Sequence, residues 1–367
     1  MTKLNELAQI GQSVWLDFIS RKLLTSGELK ELILRGLRGM TSNPTIFDKA
    51  ISQSNDYDEE IKKLISKKLS IEDVYEQLAI SDISVAADEM RTVYDSTKGL
   101  DGYVSLEVNP FLANNTRDTI DQALRLYKTL NRPNIMIKIP GTPEGIPAIT
   151  EVIASGVNVN VTLIFSVENY RNVVEAFISG LEKLDAAGGD VSKIASVASF
   201  FVSRVDTAAD KELELKKNKE LIGKVAIANS KIAFDYSQLI YSSPRWKKLA
   251  DKGARVQRLL WASTSTKNPN YKDTIYVDEL IGPDTVNTMP PATIDSFVDH
   301  GIVKETLSQG IPEAKQQIKK LSDLGISLDA ITEKLQVDGV KSFSESFTSL
   351  LSSLESKVKK LKEEVGV

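Results

Sequence analysis

Residues 134–142 read NIMIKIPGT: Ile135, Met136, Ile137 and Ile139 make a short apolar run, broken by Lys138 and closed by Pro140 and Gly141. A run of this length, rich in β-branched residues and bounded by a turn signal, predicts a strand buried on both faces. Just before it, Thr116–Leu130 places Ile120, Ala123, Leu124, Leu126, Tyr127 and Leu130 on one helical face. Working outward, comparable runs recur at 13–19, 36–41, 103–108, 157–165, 194–202, 256–261 and 274–280, separated by helical patterns. Eight strands alternating with helices predict a parallel sheet closed into an α/β (β/α)8 TIM barrel.

Three segments exceed what one crossover helix needs. Residues 48–98 hold two or three helical patterns, residues 205–252 include the charge-rich KELELKKNKEL, and the tail from Ile311 ends in the amphipathic SLLSSLESKVKKLKEEV. These predict additional helices after strand 2, after strand 6 and at the C-terminus. Without an internal repeat or a Pro/Gly/Ser-rich linker, the expectation is a single domain over 1–367. The C-terminal amphipathic helix suits either a cover over the barrel or a dimer interface, so monomer and homodimer both stay open.

The chain of 367 residues has no cysteine and one histidine, His300. Disulfides, thiolate nucleophiles and multi-histidine metal sites are thereby excluded. His300, in FVDHGIV, reads as structural. Chemistry must run on carboxylates, lysine, arginine and hydroxyls. With 46 basic against 50 acidic residues, there is no global field for nucleic acid or an anionic membrane, and small-molecule chemistry is expected. The N-terminus lacks the continuous apolar core of a secretory signal, and no stretch of 18 apolar residues occurs. A cytoplasmic setting is the expectation.

In a parallel barrel, chemistry gathers at the C-terminal ends of the strands. Those ends supply Asp17, Asn43, Glu107, Lys138, Asn160 with Thr162, Ser199 with Arg204, and Ser263 with Lys267. Lys138, flanked by apolar residues, should be largely removed from water. Burial disfavours an ammonium, and a neutral amine is the nucleophile that forms Schiff bases with carbonyls. The plain structural reading is a lysine that snorkels out or pairs with a carboxylate.

Asp17 in SVWLDFISR and Glu107 in VSLEVNP are acids set in apolar strands. Two carboxylates in different environments can divide the proton transfers of carbonyl chemistry, or each can sit in a salt bridge. Asn43, before a proline, reads as a substrate-holding amide or as a turn residue. Asn160 and Thr162 alternate with valines and share a face. Arg204, Ser263 and Lys267 follow strands six and seven, where barrels often hold phosphate.

SVWLDFISR, RGMTSNPTIF, VSLEVNP, IMIKIPGT, NVNVTLIFS, ASFFVSRVD and LLWASTSTKNP together resemble the transaldolase family over about residues 11–299. YVDELIGPDTVNTMPPAT resembles the end of the barrel in its longer bacterial branch. The resemblance implies that Lys138 forms the Schiff base with a ketose phosphate and that Asp17 takes the C4 hydroxyl proton. It implies that Glu107, with Thr162 and a water, serves Schiff-base formation and hydrolysis. Asn43, Asn160 and Ser199 would hold the dihydroxyacetone part, and Arg204 with Ser263 the phosphate. Sugar phosphates are then the partners, in the pentose phosphate pathway, and no cofactor or metal is implied. Lys267 stands where familiar members carry an arginine, at a longer spacing.

Two alternatives compete with this reading. One is a related, shorter aldolase that releases free dihydroxyacetone; its branch carries Gln and Tyr where this chain has Glu107 and Phe201. The other is a catalytically silent sugar-phosphate-binding barrel, which has no need of the intact Lys138, Asp17 and Glu107.

Overall fold

A computed structural model describes residues 2–365. Eight parallel strands close into a barrel in sequence order. They are β1 (Gln12–Asp17), β2 (Gly39–Thr41), β3 (Tyr103–Glu107), β4 (Ile135–Pro140), β5 (Val159–Ile164), β6 (Ser196–Phe201), β7 (Arg258–Ala262) and β8 (Thr285–Met289). β8 pairs with both β7 and β1 and so closes the ring. The expected (β/α)8 architecture holds, as do the additions. Pro44–Ser52, Asp58–Ile65 and Ile71–Ser96 follow β2; Ser203–Leu215, Val225–Tyr241 and Pro244–Ala250 follow β6; Ile311–Asp323 and Leu328–Val365 form the tail.

The eighth strand corrects the sequence reading. The expected strand at 274–280 contains a short helix, Ile275–Asp278, whose Tyr276 and Val277 are buried, as are Leu280 and Ile281 just after it. Asp278 decides the matter, because a buried acid needs donors. Its carboxylate accepts from Lys272 Nζ at 2.6 Å, Thr274 Oγ1 at 2.7 Å and the Ile302 amide at 2.9 Å. The true strand, TVNTM, was masked because one of its faces is polar: Thr285 accepts from Gln12 Nε2 at 3.0 Å, and Asn287 accepts from Thr264 at 2.9 Å. Its polar groups are satisfied inside the fold, so it shows no apolar alternation.

The N-terminal end of the barrel is plugged. Trp15 and Tyr103 are fully buried there, and a Cβ on Gly39 would lie 2.5 Å from the Trp15 ring. Arg258 Nη2 meets Asp101 at 2.9 Å, while Ser13 Oγ and Trp15 Nε1 donate to the same carboxylate at 2.7 and 3.4 Å. A buried ion pair with every oxygen served is tolerable where a bare charge is not. The plug closes the barrel interior from this end, and the strands' C-terminal ends form the mouth where barrel chemistry gathers.

The C-terminal helix Leu328–Val365 lies across that mouth. Its buried stripe, Phe343, Phe347, Leu350, Leu354, Val358 and Leu361, recurs every three or four residues. Phe347 packs edge-on against Tyr75 and Phe111 at 5.4 Å each. Thr45 donates to Ser346 at 2.9 Å, Ser349 to Asp48 at 3.0 Å, and Lys357 pairs with Asp58 at 2.7 Å. The helix thus covers the mouth of its own barrel.

Candidate active site

Parallel register brings the central residues into one layer. Glu107 is the partner of Lys138, and Lys138 is the partner of Asn160. Residues paired this way point to the same side of the sheet. Lys138 Nζ lies 3.3 Å from Glu107 Oε2 and donates to the Ser42 carbonyl at 3.2 Å, with both side chains 7% exposed. The expected salt bridge and the expected buried amine are therefore one arrangement. Phe343 of the C-terminal helix completes the enclosure, with its ring centre 5.5 Å from Nζ.

Asp17, half-buried at the end of β1, accepts from Thr41 Oγ1 at 2.8 Å. Thr41 in turn meets Thr288 at 2.8 Å. Burial pushes the Asp17 carboxyl up, partly opposed by Lys138 and Thr41. Burial raises Glu107 as well, against the opposing pull of Lys138. Both acids are thus more basic than free carboxylates and remain coupled to the same ammonium.

Among the described residues, two buried oxygens at the site have no hydrogen-bonding protein partner: Glu107 Oε2, whose contact with Lys138 misses hydrogen-bond alignment, and Thr162 Oγ1. Groups like these are the exception in folded proteins and mark places where another molecule is held. Asn160 and Ser199 are placed otherwise. Asn160 Nδ2 donates to Ser105 at 3.1 Å, and Ser199 Oγ donates to Asn160 Oδ1 at 2.7 Å. This chain runs from β3 to β6 and fixes the amide beside Lys138.

Asn43 divides its two ends. Its oxygen caps helix Pro44–Ser52 by accepting from the Ile46 amide at 3.0 Å, as Asn at an N-cap does. The turn reading holds for the oxygen, and the Nδ2 donors remain for another partner.

Arg204 is the second residue of helix Ser203–Leu215 and stands over the Phe201 ring at 5.3 Å. Among the described residues it has no carboxylate in ion-pair range, and burial pushes its pKa down. A half-buried guanidinium without a carboxylate suits an anionic ligand. Ser203 and Ser263 share a hydrogen bond at 2.9 Å beside it, and Ser263 adopts a left-handed φ of 57°. Lys267 departs from this group: it is exposed and donates to Ser265 at 2.8 Å, though its charge reaches Asp17. His300 is exposed and paired with Asp273 and Asp299 at 2.7 and 3.0 Å.

Sequence reasoning missed Phe343, Thr41, Thr288 and the pair Asp206 and Asp210. The two acids stand one turn apart behind Arg204. Asp206 accepts from the Ala226 amide at 2.7 Å and from Tyr276 at 2.8 Å; Asp210 accepts from the Gly223 amide at 3.0 Å and from the Tyr271 hydroxyl. They tie the arginine helix to the segment that follows β7.

Burial pushes the Asp206 carboxyl up to about 7. The folded chain then holds this proton more tightly than the unfolded chain. Its contribution is greatest below the unfolded carboxylate value, declines as pH rises from about 4 to about 7, and is flat above that. Urea unfolding at stepped pH should show this limb in the natural protein and its loss in Asp206→Asn. Parallel curves for the two proteins would refute the assignment.

Fold and site together define a barrel enzyme built around an interior lysine and two carboxylates. The family described as Transaldolase/Fructose-6-phosphate aldolase matches residues 14–354. A protein named Transaldolase from Trichodesmium erythraeum is 51% identical over 370 residues, covering 97% of each chain. One of the same name from Saccharopolyspora erythraea is 48% identical, covering 98% of this chain and 99% of its own. Transaldolase 2 from Nostoc sp. is 50% identical over 97% of each. The chain belongs to the transaldolase/fructose-6-phosphate aldolase family, and these likenesses support transaldolase function. No described helix is long and apolar enough to cross a membrane.

Proposed function

We propose that the chain moves a dihydroxyacetone unit from a ketose phosphate, fructose 6-phosphate or sedoheptulose 7-phosphate, to an aldose phosphate through a Schiff base on Lys138. The observation that carries this reading is the enclosed Lys138 amine, 3.3 Å from Glu107, with Asp17 near enough to feel its charge.

The amine adds to the C2 carbonyl, and loss of water from the carbinolamine leaves an iminium. Glu107, assisted by Thr162 Oγ1 and a water, exchanges the protons of these steps. Their partnerless oxygens support the role. Asp17 takes the C4 hydroxyl proton, the C3–C4 bond breaks, and its electron pair passes into the iminium to give an enamine. The aldose phosphate leaves, and an acceptor aldehyde takes the enamine carbon by the reverse path.

Asn43 Nδ2, Asn160 and Ser199 hold the hydroxyls of the three-carbon unit. Arg204 takes the phosphate with Ser263, and Lys267 adds a monodentate contact from the rim. The reading places the enzyme in the pentose phosphate pathway in the cytoplasm, as a single domain whose C-terminal helix closes the barrel.

Product analysis tests the reading. With fructose 6-phosphate and erythrose 4-phosphate, sedoheptulose 7-phosphate and glyceraldehyde 3-phosphate should accumulate together. Equimolar free dihydroxyacetone in place of sedoheptulose 7-phosphate would make the chain an aldolase, and no turnover of either kind would make it a binding barrel.

A further inference from the structure

The C-terminal helix approaches the strand ends along a single face. Gln336, Gly339, Phe343 and Phe347 are spaced by three or four residues and so lie one above another. Gln336 Nε2 donates to the carbonyls of Gly141 and Leu163, both at 3.0 Å, and to Asn169 Oδ1 at 3.2 Å. Gly141 follows β4, which carries Lys138, and Leu163 follows Thr162 in β5. Leu163 holds a left-handed φ of 59° at a break in the β5–β6 register. For a buried leucine this is a strained conformation that needs fixed surroundings.

Gly339 lets the helix settle, since a Cβ there would come within 2.9 Å of Leu163 Cδ2. One turn further along, Phe343 is 7% exposed and stands 5.5 Å from the Lys138 amine. The helix is thus anchored by the Gln336 amide, whose two N–H groups are shared among three acceptors, and seated on Leu163, so that an aromatic face covers the reacting nitrogen.

We propose that Phe343 is a positioning residue that sets the partition between transfer and release by keeping water from the Lys138 adduct. This rests on the Schiff-base reading above. After the first aldose leaves, the enamine has two fates. Transfer forms a carbon–carbon bond to the acceptor aldehyde and leaves the longer ketose on the lysine as an iminium. Release instead puts a proton on C3 and leaves the iminium of dihydroxyacetone. Either iminium is then freed by one water, so the two fates part at C3, where release needs a proton delivered through water and transfer needs the aldehyde. An apolar ring over the nitrogen displaces water from that side, and its π face stabilises the cationic iminium without donating a proton.

The test compares Phe343→Ala and Phe343→Leu with the natural protein at full length. Dihydroxyacetone release from fructose 6-phosphate alone is measured against sedoheptulose 7-phosphate formation with erythrose 4-phosphate, and borohydride-reduced Lys138 adduct is quantified in the same samples. The ratio of release to transfer should rise about tenfold or more in Phe343→Ala, which opens a water-sized gap, and less in Phe343→Leu. The adduct should persist in both. Because both rates are taken on one protein preparation, a loss of folded protein scales them together and leaves their ratio unmoved, and Phe343→Leu carries the test if the alanine variant fails to fold. An unchanged ratio with the adduct present would overturn the role of Phe343 alone; no adduct in the natural protein would overturn the Schiff-base reading and this proposal with it.

Discussion

Lys138→Met is expected to lower kcat/KM for fructose 6-phosphate by at least about 10^4-fold, the scale on which covalent nucleophiles contribute. Methionine keeps the unbranched length and apolar stem of the side chain and removes only the amine. Glu107 then loses its cation at 3.3 Å. Burial already raises that carboxyl, so it can take up a proton instead of remaining a bare buried charge, which limits the cost to the fold. Steady-state kinetics with circular dichroism on the same preparation separates the two effects. Residual turnover within a hundredfold of the natural protein would show that the chemistry does not pass through this nitrogen.

Asp17→Asn should cost about 10^2- to 10^4-fold in kcat with a small change in KM, as loss of a general base does. Asparagine keeps the shape and can still meet Thr41, but it cannot accept the C4 hydroxyl proton. The sign of the pH dependence follows from the raised carboxyls. A base with an elevated pKa is protonated, and so inactive, at a higher pH than a free carboxylate. The acid limb of kcat should therefore fall above the ordinary carboxylate range, because both Asp17 and Glu107 are pushed up by burial. A pH profile flat down to pH 4 would contradict this assignment. So would an Asp17→Asn variant whose loss appears wholly in KM.

Most of the fold was legible because the barrel strands are short β-branched runs separated by amphipathic helices, the pattern that βαβ geometry imposes. NIMIKIP and VNVNVTLIF could be read directly as strands, and period 2 put Asn160 and Thr162 on one shared face; the register that pairs Lys138 with Asn160 adds the lysine to that face. β8 failed by the same logic. Its Thr285 and Asn287 are satisfied by partners distant in sequence, Gln12 and Thr264, while 274–280 offered a more convincing apolar run. Periodicity sees burial but not which polar groups find partners, and here the partners decided.

The candidate site divides in the same way. Acids and a lysine at strand ends stand out because charge in an apolar run is costly. The cover over them does not, since an apolar helical stripe shows that residues such as Phe343 and Phe347 are buried without showing against what. Asp206 and Asp210 looked like ordinary charges in a polar helix; only the fold brings Tyr271 and Tyr276 to them.

The central claim is that a carbonyl substrate becomes covalently attached to Lys138. The direct measurement is to incubate the protein with fructose 6-phosphate, reduce with borohydride, digest and locate the added mass by tandem mass spectrometry. The account predicts one reduced dihydroxyacetone adduct on the lysine of the peptide containing IMIKIPGT and none in Lys138→Met. An adduct on another lysine, or none anywhere while turnover proceeds, would contradict it.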